Sequence, residues 1–235
     1  EITTRLVGSE MCIRDRNVAP RVILTEGGSM TDIYVYNQLT KDNNGNIKVD
    51  QNGNLGITSS NTPVKVGNLD ADFNLGWTNH FTYKGIDLGV VLSARVGGLA
   101  YSATQGILDY YGVSGTSATA RDNGGIPINN GKVNAQKYYQ TIGTGEGGYG
   151  RYYLYSATNV RLQELSLNYT LPKRWFKNVA NVTLGIVGRN LWMIYCKAPF
   201  DPELSASTSS NYYMNVDYFM QPSLRNFGFN VKVQF

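Results

Sequence analysis

The sequence is poor in charge, in cysteine and in histidine. Only 16% of its 235 residues are Asp, Glu, Lys or Arg, where soluble domains carry about a quarter. With His80 as the single histidine and no GxSxG, P-loop or HExxH pattern, no catalytic constellation can be assembled, so the chain reads as a non-enzyme. Cys12 and Cys196 lack CxxC spacing and specify neither a zinc site nor a disulfide framework. No cofactor or metal is expected. No run of about 18 apolar residues occurs, so no transmembrane helix is expected. Residues 1–20 lack the apolar core and small residues of a signal peptide, so an exported protein would have its true start upstream. The net charge of +4 is small and its basic residues are scattered, leaving no nucleic-acid footprint.

What is abundant is glycine (26), tyrosine (17) and period-2 alternation. In residues 225–235 (RNFGFNVKVQF), Phe227, Phe229, Val231, Val233 and Phe235 share one face of an extended strand. Asn226, Gly228, Asn230, Lys232 and Gln234 share the other. Such a segment wants an apolar medium on one side and water on the other. Residues 72–84 repeat the pattern with Phe73, Leu75, Trp77, Phe81 and Tyr83, interrupted by Asn79. After Lys84-Gly85 it continues through Ile86, Leu88, Val90, Leu92, Ala94 and Val96, predicting a long hairpin. Residues 159–171 (NVRLQELSLNYTL) alternate with a phase slip near Gln163, which a bulge or a strand end beyond the membrane would explain. A fourth strand runs from Val182 to about Tyr195. Ordinary strands run about 5–6 residues, whereas a tilted membrane strand needs about 9–11. The fold class is therefore all-β: an antiparallel meander forming part of a transmembrane outer-membrane barrel, with five long strands visible.

Connection lengths support that choice. A tight turn at 84–85 and a shorter one at 172–181 alternate with long stretches at 101–157 and 196–224. Outer-membrane barrels have short periplasmic turns and long extracellular loops. Residues 17–71 read as a polar, turn-rich extracellular ribbon region, and 72–235 as barrel strands. Within the ribbon, DNNGN at 42–46 recurs as DQNGN at 50–54. An EF-hand needs Gly at its sixth position and Glu at its twelfth, and neither is present, so two Asn-Gly turns are expected instead. Residues 1–16 match neither the composition nor the alternation of the rest and read as a non-native leader resembling translated adapter sequence.

Residues 159–172 (NVRLQELSLNYTLP), 188–191 (GRNL), 200–204 (FDPEL) and 225–235 occur in an order that resembles the SusC/RagA-like TonB-dependent transporters of Bacteroidetes outer membranes. Weaker likeness lies at 26–28, 32–34 and 81–88. The resemblance implies a plugged barrel of about 22 strands, of which this chain would be a carboxy-terminal part. It also implies an inner plug and a TonB box upstream, a SusD-like surface lipoprotein over the extracellular loops, contact with outer-membrane lipid, and uptake of oligosaccharides or peptides. A closing aromatic read by the barrel-assembly machinery is implied at Phe235, with Phe227 and Phe229 on the same face. A passive porin and a soluble β-sandwich binding module are the competing readings.

Three tyrosine pairs are candidate substrate contacts in external loops: Tyr110-Tyr111, Tyr138-Tyr139 and Tyr152-Tyr153. Aromatic faces pack on sugar rings or peptide side chains and hydrogen-bond through their hydroxyls. A membrane aromatic belt or a loop core would use the same residues. Arg95 and Arg189 are expected on the lumen face. Asp201 and Glu203, separated by Pro202, read as a turn.

Overall fold

Alternation along five segments sets five long antiparallel strands, and the intervening loops fold into a second unit. The computed structural model describes residues 20–143, 149–176, 179–204 and 215–234. Its strands are β1 (Arg21–Val22), β2 (Asp32–Leu39), β3 (Ile57–Asn68), β4 (Phe73–Tyr83), β5 (Ile86–Val96), β6 (Leu99–Ser102), β7 (Ile126–Ile128), β8 (Gly131–Val133), β9 (Leu154–Ser156), β10 (Asn159–Thr170), β11 (Asn181–Cys196), β12 (Val216–Asp217) and β13 (Asn226–Gln234). Helices α1 (Ala103–Tyr110), α2 (Gly115–Asp122) and α3 (Ala135–Gly143) lie between β6 and β9. The proposed leader at 1–16 and Phe235 fall outside the described residues. The chain divides into a unit of residues 70–98, 156–204 and 221–235, and a unit of residues 1–69, 99–155 and 205–220.

The first unit is one sheet in the order β13-β11-β10-β5-β4, every neighbour antiparallel. In chain order these strands run 11, 11, 12, 16 and 9 residues, the length that suits a tilted membrane strand. The register aligns side chains into rows across the whole sheet. Phe81, Leu88, Leu167, Ile186 and Phe229 form one row, and Tyr83, Ile86, Tyr169, Leu184 and Val231 the next. On the opposite face lie Thr82, Asp87, Asn168, Gly185 and Asn230, then His80, Gly89, Ser166, Val187 and Gly228. Because side chains alternate between faces, a one-residue slip anywhere would mix the two chemistries. The phase slip is a bulge: the register of β10 with both neighbours shifts between Leu162 and Glu164, at Gln163.

The apolar face is uncovered. Phe81, Leu167, Ile186 and Phe229 are 53%, 41%, 55% and 70% exposed. Contiguous apolar exposure of this kind marks a surface made for a partner or a membrane. The polar face is tight near its middle, where a Cβ built on Gly185 would collide with the amides of Asn168 and Asn230. Gly185→Val is expected to cost about 1–3 kcal/mol, read as a lower urea midpoint of the full-length protein in bilayers. Gly76→Val is the control, since nothing lies within 4 Å of the corresponding Cβ.

The second unit carries more regular structure than the sequence spelled out. Within residues 17–71, read as a turn-rich loop and β-ribbon region, β2 and β3 pair with β1 in a three-stranded antiparallel sheet. Asn37 interrupts the buried face of Ile33, Val35 and Leu39, and Pro63 interrupts β3, which hid the alternation. The two Asn-Gly turns form as expected. Asp42 Oδ1 accepts from the backbone N–H groups of Asn44 and Asn46, and Asp50 Oδ1 from those of Asn52 and Asn54. These bonds, led by those from Asn46 and Asn54, hold both carboxyls below their ordinary range.

Residues 101–157, read from sequence as lacking sustained alternation, fold around three helices. Each helix is capped from its own sequence. Ser102 Oγ accepts from the N–H of Gln105, Ser114 Oγ from Ser117, and Asn134 Oδ1 from Gln136 and Lys137. Leu39, Leu55, Tyr101, Ile128, Ile142 and Tyr153 are among the buried residues of the core they enclose. Strand β12 joins parallel to β6, pairing Val216 with Tyr101.

Candidate functional site: the tyrosine-rich loop unit

The three tyrosine pairs all lie in the second unit, but they are not equivalent. Tyr110 and Tyr111 end α1 and meet edge to face, with ring centroids 5.1 Å apart. Tyr138 and Tyr139 on α3 do the same at 5.2 Å. Such geometry places the positive ring edge on the negative face. Tyr111 is exposed, Tyr110 and Tyr139 half-buried. These three join Arg121, Gln136 and Gln140 in lining a cavity of about 190 Å³. Arg121 is fixed there by a 2.6 Å hydrogen bond from its guanidinium to the carbonyl of Gly112.

Tyr138, Tyr152 and Tyr153 serve the unit's interior. The N–H of Leu39 donates to the Tyr152 hydroxyl at 2.7 Å, tying β2 to this region. Tyr153 is buried in the core, and its hydroxyl donates to Asp109 Oδ2 at 3.1 Å. Burial, then the neighbouring Asp109 carboxylate, push this hydroxyl far above the ordinary tyrosine range, so it remains a donor. Asp109 also accepts from Gln105 Nε2 at 2.9 Å, Thr116 Oγ1 at 3.0 Å, and Ser114 Oγ. One buried carboxylate thus joins α1, the start of α2 and the residue just before β9. Sequence reasoning missed Asp109; the signals were Ser102 and Ser114, serine caps flanking it at helix starts. Tyr153→Phe removes one donor from a buried acceptor and is expected to cost about 1–2 kcal/mol. Faster proteolysis within residues 99–155 of the folded full-length protein would register it.

In the five-stranded sheet, the predicted lumen arginines lie on the polar face. Arg95 is aligned with Asn74 and Asn159. Arg189 pairs with Glu164 at 2.8 Å on an open surface, where such a pair contributes little. His80 sits on the same face, in line with Ser166.

The strongest electrostatic feature of this sheet was not anticipated. Arg161, 4% exposed, forms an ion pair with Asp201 at 2.8 Å, whose side chain is 7% exposed, and reaches Glu203 at 3.3 Å. Its Nε donates to Asn159 Oδ1, and Asp201 accepts from Ser223 Oγ and the N–H of Glu203. Burial pushes the Asp201 carboxyl up, but these hydrogen bonds, Arg161 first, outweigh burial and hold it below the ordinary carboxylate range. The NVRLQEL and FDPEL stretches, separate in sequence, are two halves of one lock. Among the described residues, no cluster of His, Cys, Asp and Glu is placed to hold a metal. The arrangement can bind through aromatic faces, amides and a guanidinium.

No family model matches the sequence. TonB-dependent receptor P3 of Formosa agariphila is 26% identical over 201 residues, 83% of this chain and 19% of that protein. A solved structure of the RagAB peptide importer in its closed-closed state superposes with a TM-score of 0.51 at 17% identity, over 92% of this chain and 22% of the matched chain. The chain therefore spans about a fifth of the length of the proteins it matches. The chain is thus similar in sequence to part of a TonB-dependent receptor and in fold to part of the RagAB importer.

Proposed function

We propose that this chain supplies barrel wall and extracellular loops to an outer-membrane importer of oligosaccharides or peptides. The observation that carries the reading is the uncovered apolar face running in register across five long strands, backed by a polar face. A water-soluble sandwich would bury that face against a second sheet. The sorting of connections supports the same reading: two short turns at one end, and long insertions after β5 and β11. Residues 17–71, with 99–155 and 205–220, form the extracellular part in this proposal. The tyrosine-lined cavity faces substrate or the lipoprotein partner, and Arg95 and Arg189 line the lumen. Phe227 and Phe229 belong to the segment presented to the barrel-assembly machinery. Energy would enter through TonB and an upstream plug, and a SusD-like lipoprotein would cover the loops. The named relatives, a TonB-dependent receptor and a peptide importer, support transport over catalysis.

The test is uptake by the full-length protein in its own outer membrane. Labelled oligosaccharide and peptide pools should enter wild-type cells and fail to enter cells lacking TonB. Uptake that persists without TonB would favour the passive porin. A monodisperse, cooperatively unfolding monomer from this chain alone, without detergent, would favour the soluble module.

A further inference from the structure

The short-turn end of the five-stranded sheet gathers cations and aromatics that neither the transport path nor the sheet's own stability requires. Its last outward apolar row to span all five strands is Tyr83, Ile86, Tyr169, Leu184 and Val231. Immediately beyond it, Lys84 and Gly85 make the β4–β5 turn with positive φ of 47° and 87°. From that turn the Lys84 ammonium reaches back over the Tyr83 ring, 5.0 Å from its centroid. The next connection folds against the same turn, because the N–H of Thr170 donates to the carbonyl of Gly85 at 2.7 Å. The chain then passes Pro172 into a single 3-10 turn, Lys173–Phe176, in which Lys173, Arg174 and Trp175 are exposed. Two neighbouring turns thus present three cations and two amphipathic aromatics at the edge of the apolar face.

Charge at this end is one-sided on the outward face. Asp87, the acid nearest these turns, belongs to the polar face and accepts from Thr82 Oγ1 at 2.9 Å. The sheet's other described acids, Asp70, Asp72, Glu164, Asp201 and Glu203, lie toward the opposite end. A cation held over an aromatic face beside apolar rows is the arrangement that long basic side chains adopt when they snorkel to a headgroup. Tyr and Trp settle at the same level.

We propose that this end is a binding site for anionic phospholipid headgroups. Phosphodiester oxygens accept from Lys84, Lys173 and Arg174, while the acyl chains run along Tyr83, Ile86 and Tyr169. The proposal rests on the membrane reading above and adds a lipid preference to it. A soluble phosphate would meet the cations but leave the adjoining apolar row unused, so the occupant is the lipid.

The experiment titrates full-length protein, in neutral detergent, with phosphatidylglycerol and separately with phosphatidylcholine, counting bound lipid by native mass spectrometry. Phosphatidylglycerol should bind preferentially. Replacing Lys84, Lys173 and Arg174 together by Gln should weaken that binding about a hundredfold, or about fivefold per cation, leaving phosphatidylcholine unchanged. Millimolar inorganic phosphate should not displace the lipid. Unchanged phosphatidylglycerol binding in the triple variant, or equal displacement by inorganic phosphate, overturns the proposal. If the triple variant fails to assemble, Lys84→Gln must weaken binding and Lys84→Arg must retain it, and any other result counts against the site. Failure of the parent protein to insert into pure phosphatidylcholine bilayers would sink the membrane reading itself. An inserted protein indifferent to phosphatidylglycerol would sink only this inference.

Discussion

Arg161→Met in the full-length protein is expected to destabilise the fold by about 3–5 kcal/mol. The cause is not the loss of a favourable pair so much as what remains behind. Asp201 would stay buried, with a side chain 7% exposed, and would keep only Ser223 Oγ and the N–H of Glu203 as partners. Removing both charges, as in Arg161→Met with Asp201→Leu, is expected to cost much less, because no uncompensated carboxylate is left. The double-mutant cycle, read as urea midpoints in bilayers, separates the coupling from the desolvation penalty. The same lock gives a pH signature. The Asp201 carboxyl titrates below its reference value of 3.8 in the folded protein. Its contribution is therefore present above pH 3.8 and lost as pH falls through the lower folded value. Asp201→Asn should lessen the acid sensitivity of wild type over that window, leaving the part carried by the other lowered carboxyls such as Asp42 and Asp50.

A second large effect is expected on the apolar face. Leu167 lies in the row between Leu88 and Ile186 and is 41% exposed. Leu167→Arg should cost about 2–4 kcal/mol if that row lies at bilayer depth, because the guanidinium would enter hydrocarbon. Thr78→Arg, on the polar face in line with Val91 and Glu164, should be tolerated. In water the two substitutions would be alike, since both positions are exposed. The difference between them, measured as assembled protein in the outer membrane and as urea midpoints, reports which face meets lipid.

The five-stranded sheet was legible because its physics is local. Period-2 alternation in residues 72–96 and 225–235 needs no knowledge of neighbours, and even the bulge at Gln163 showed as a slip in phase. The loop unit was less legible because its order is set by contacts far apart in sequence. Strand β2 carries Asn37 in its buried face, and Ile47 is held by Asn129, 82 residues away. Helices α1 and α2 are only 8 residues each, too short for a clear 3.6-residue period, so their serine caps were the better signal. The tyrosine pairs looked alike in sequence and separate in structure. Tyr111 meets solvent, while Tyr153 is committed to Asp109. The Arg161–Asp201 lock joins residues 40 apart, and nothing in the turn-like sequence around Pro202 announced a buried acid.

The central claim is that the apolar face of the sheet, which in β13 carries Phe227, Phe229, Val231 and Val233, meets lipid. Nitroxide labels placed singly at residues 226–234 of the full-length protein in bilayers test it directly, through accessibility to molecular oxygen. High accessibility at 227, 229, 231 and 233, alternating with low values between them, is the predicted result. Uniform accessibility along the strand, or the opposite phase, would contradict the account.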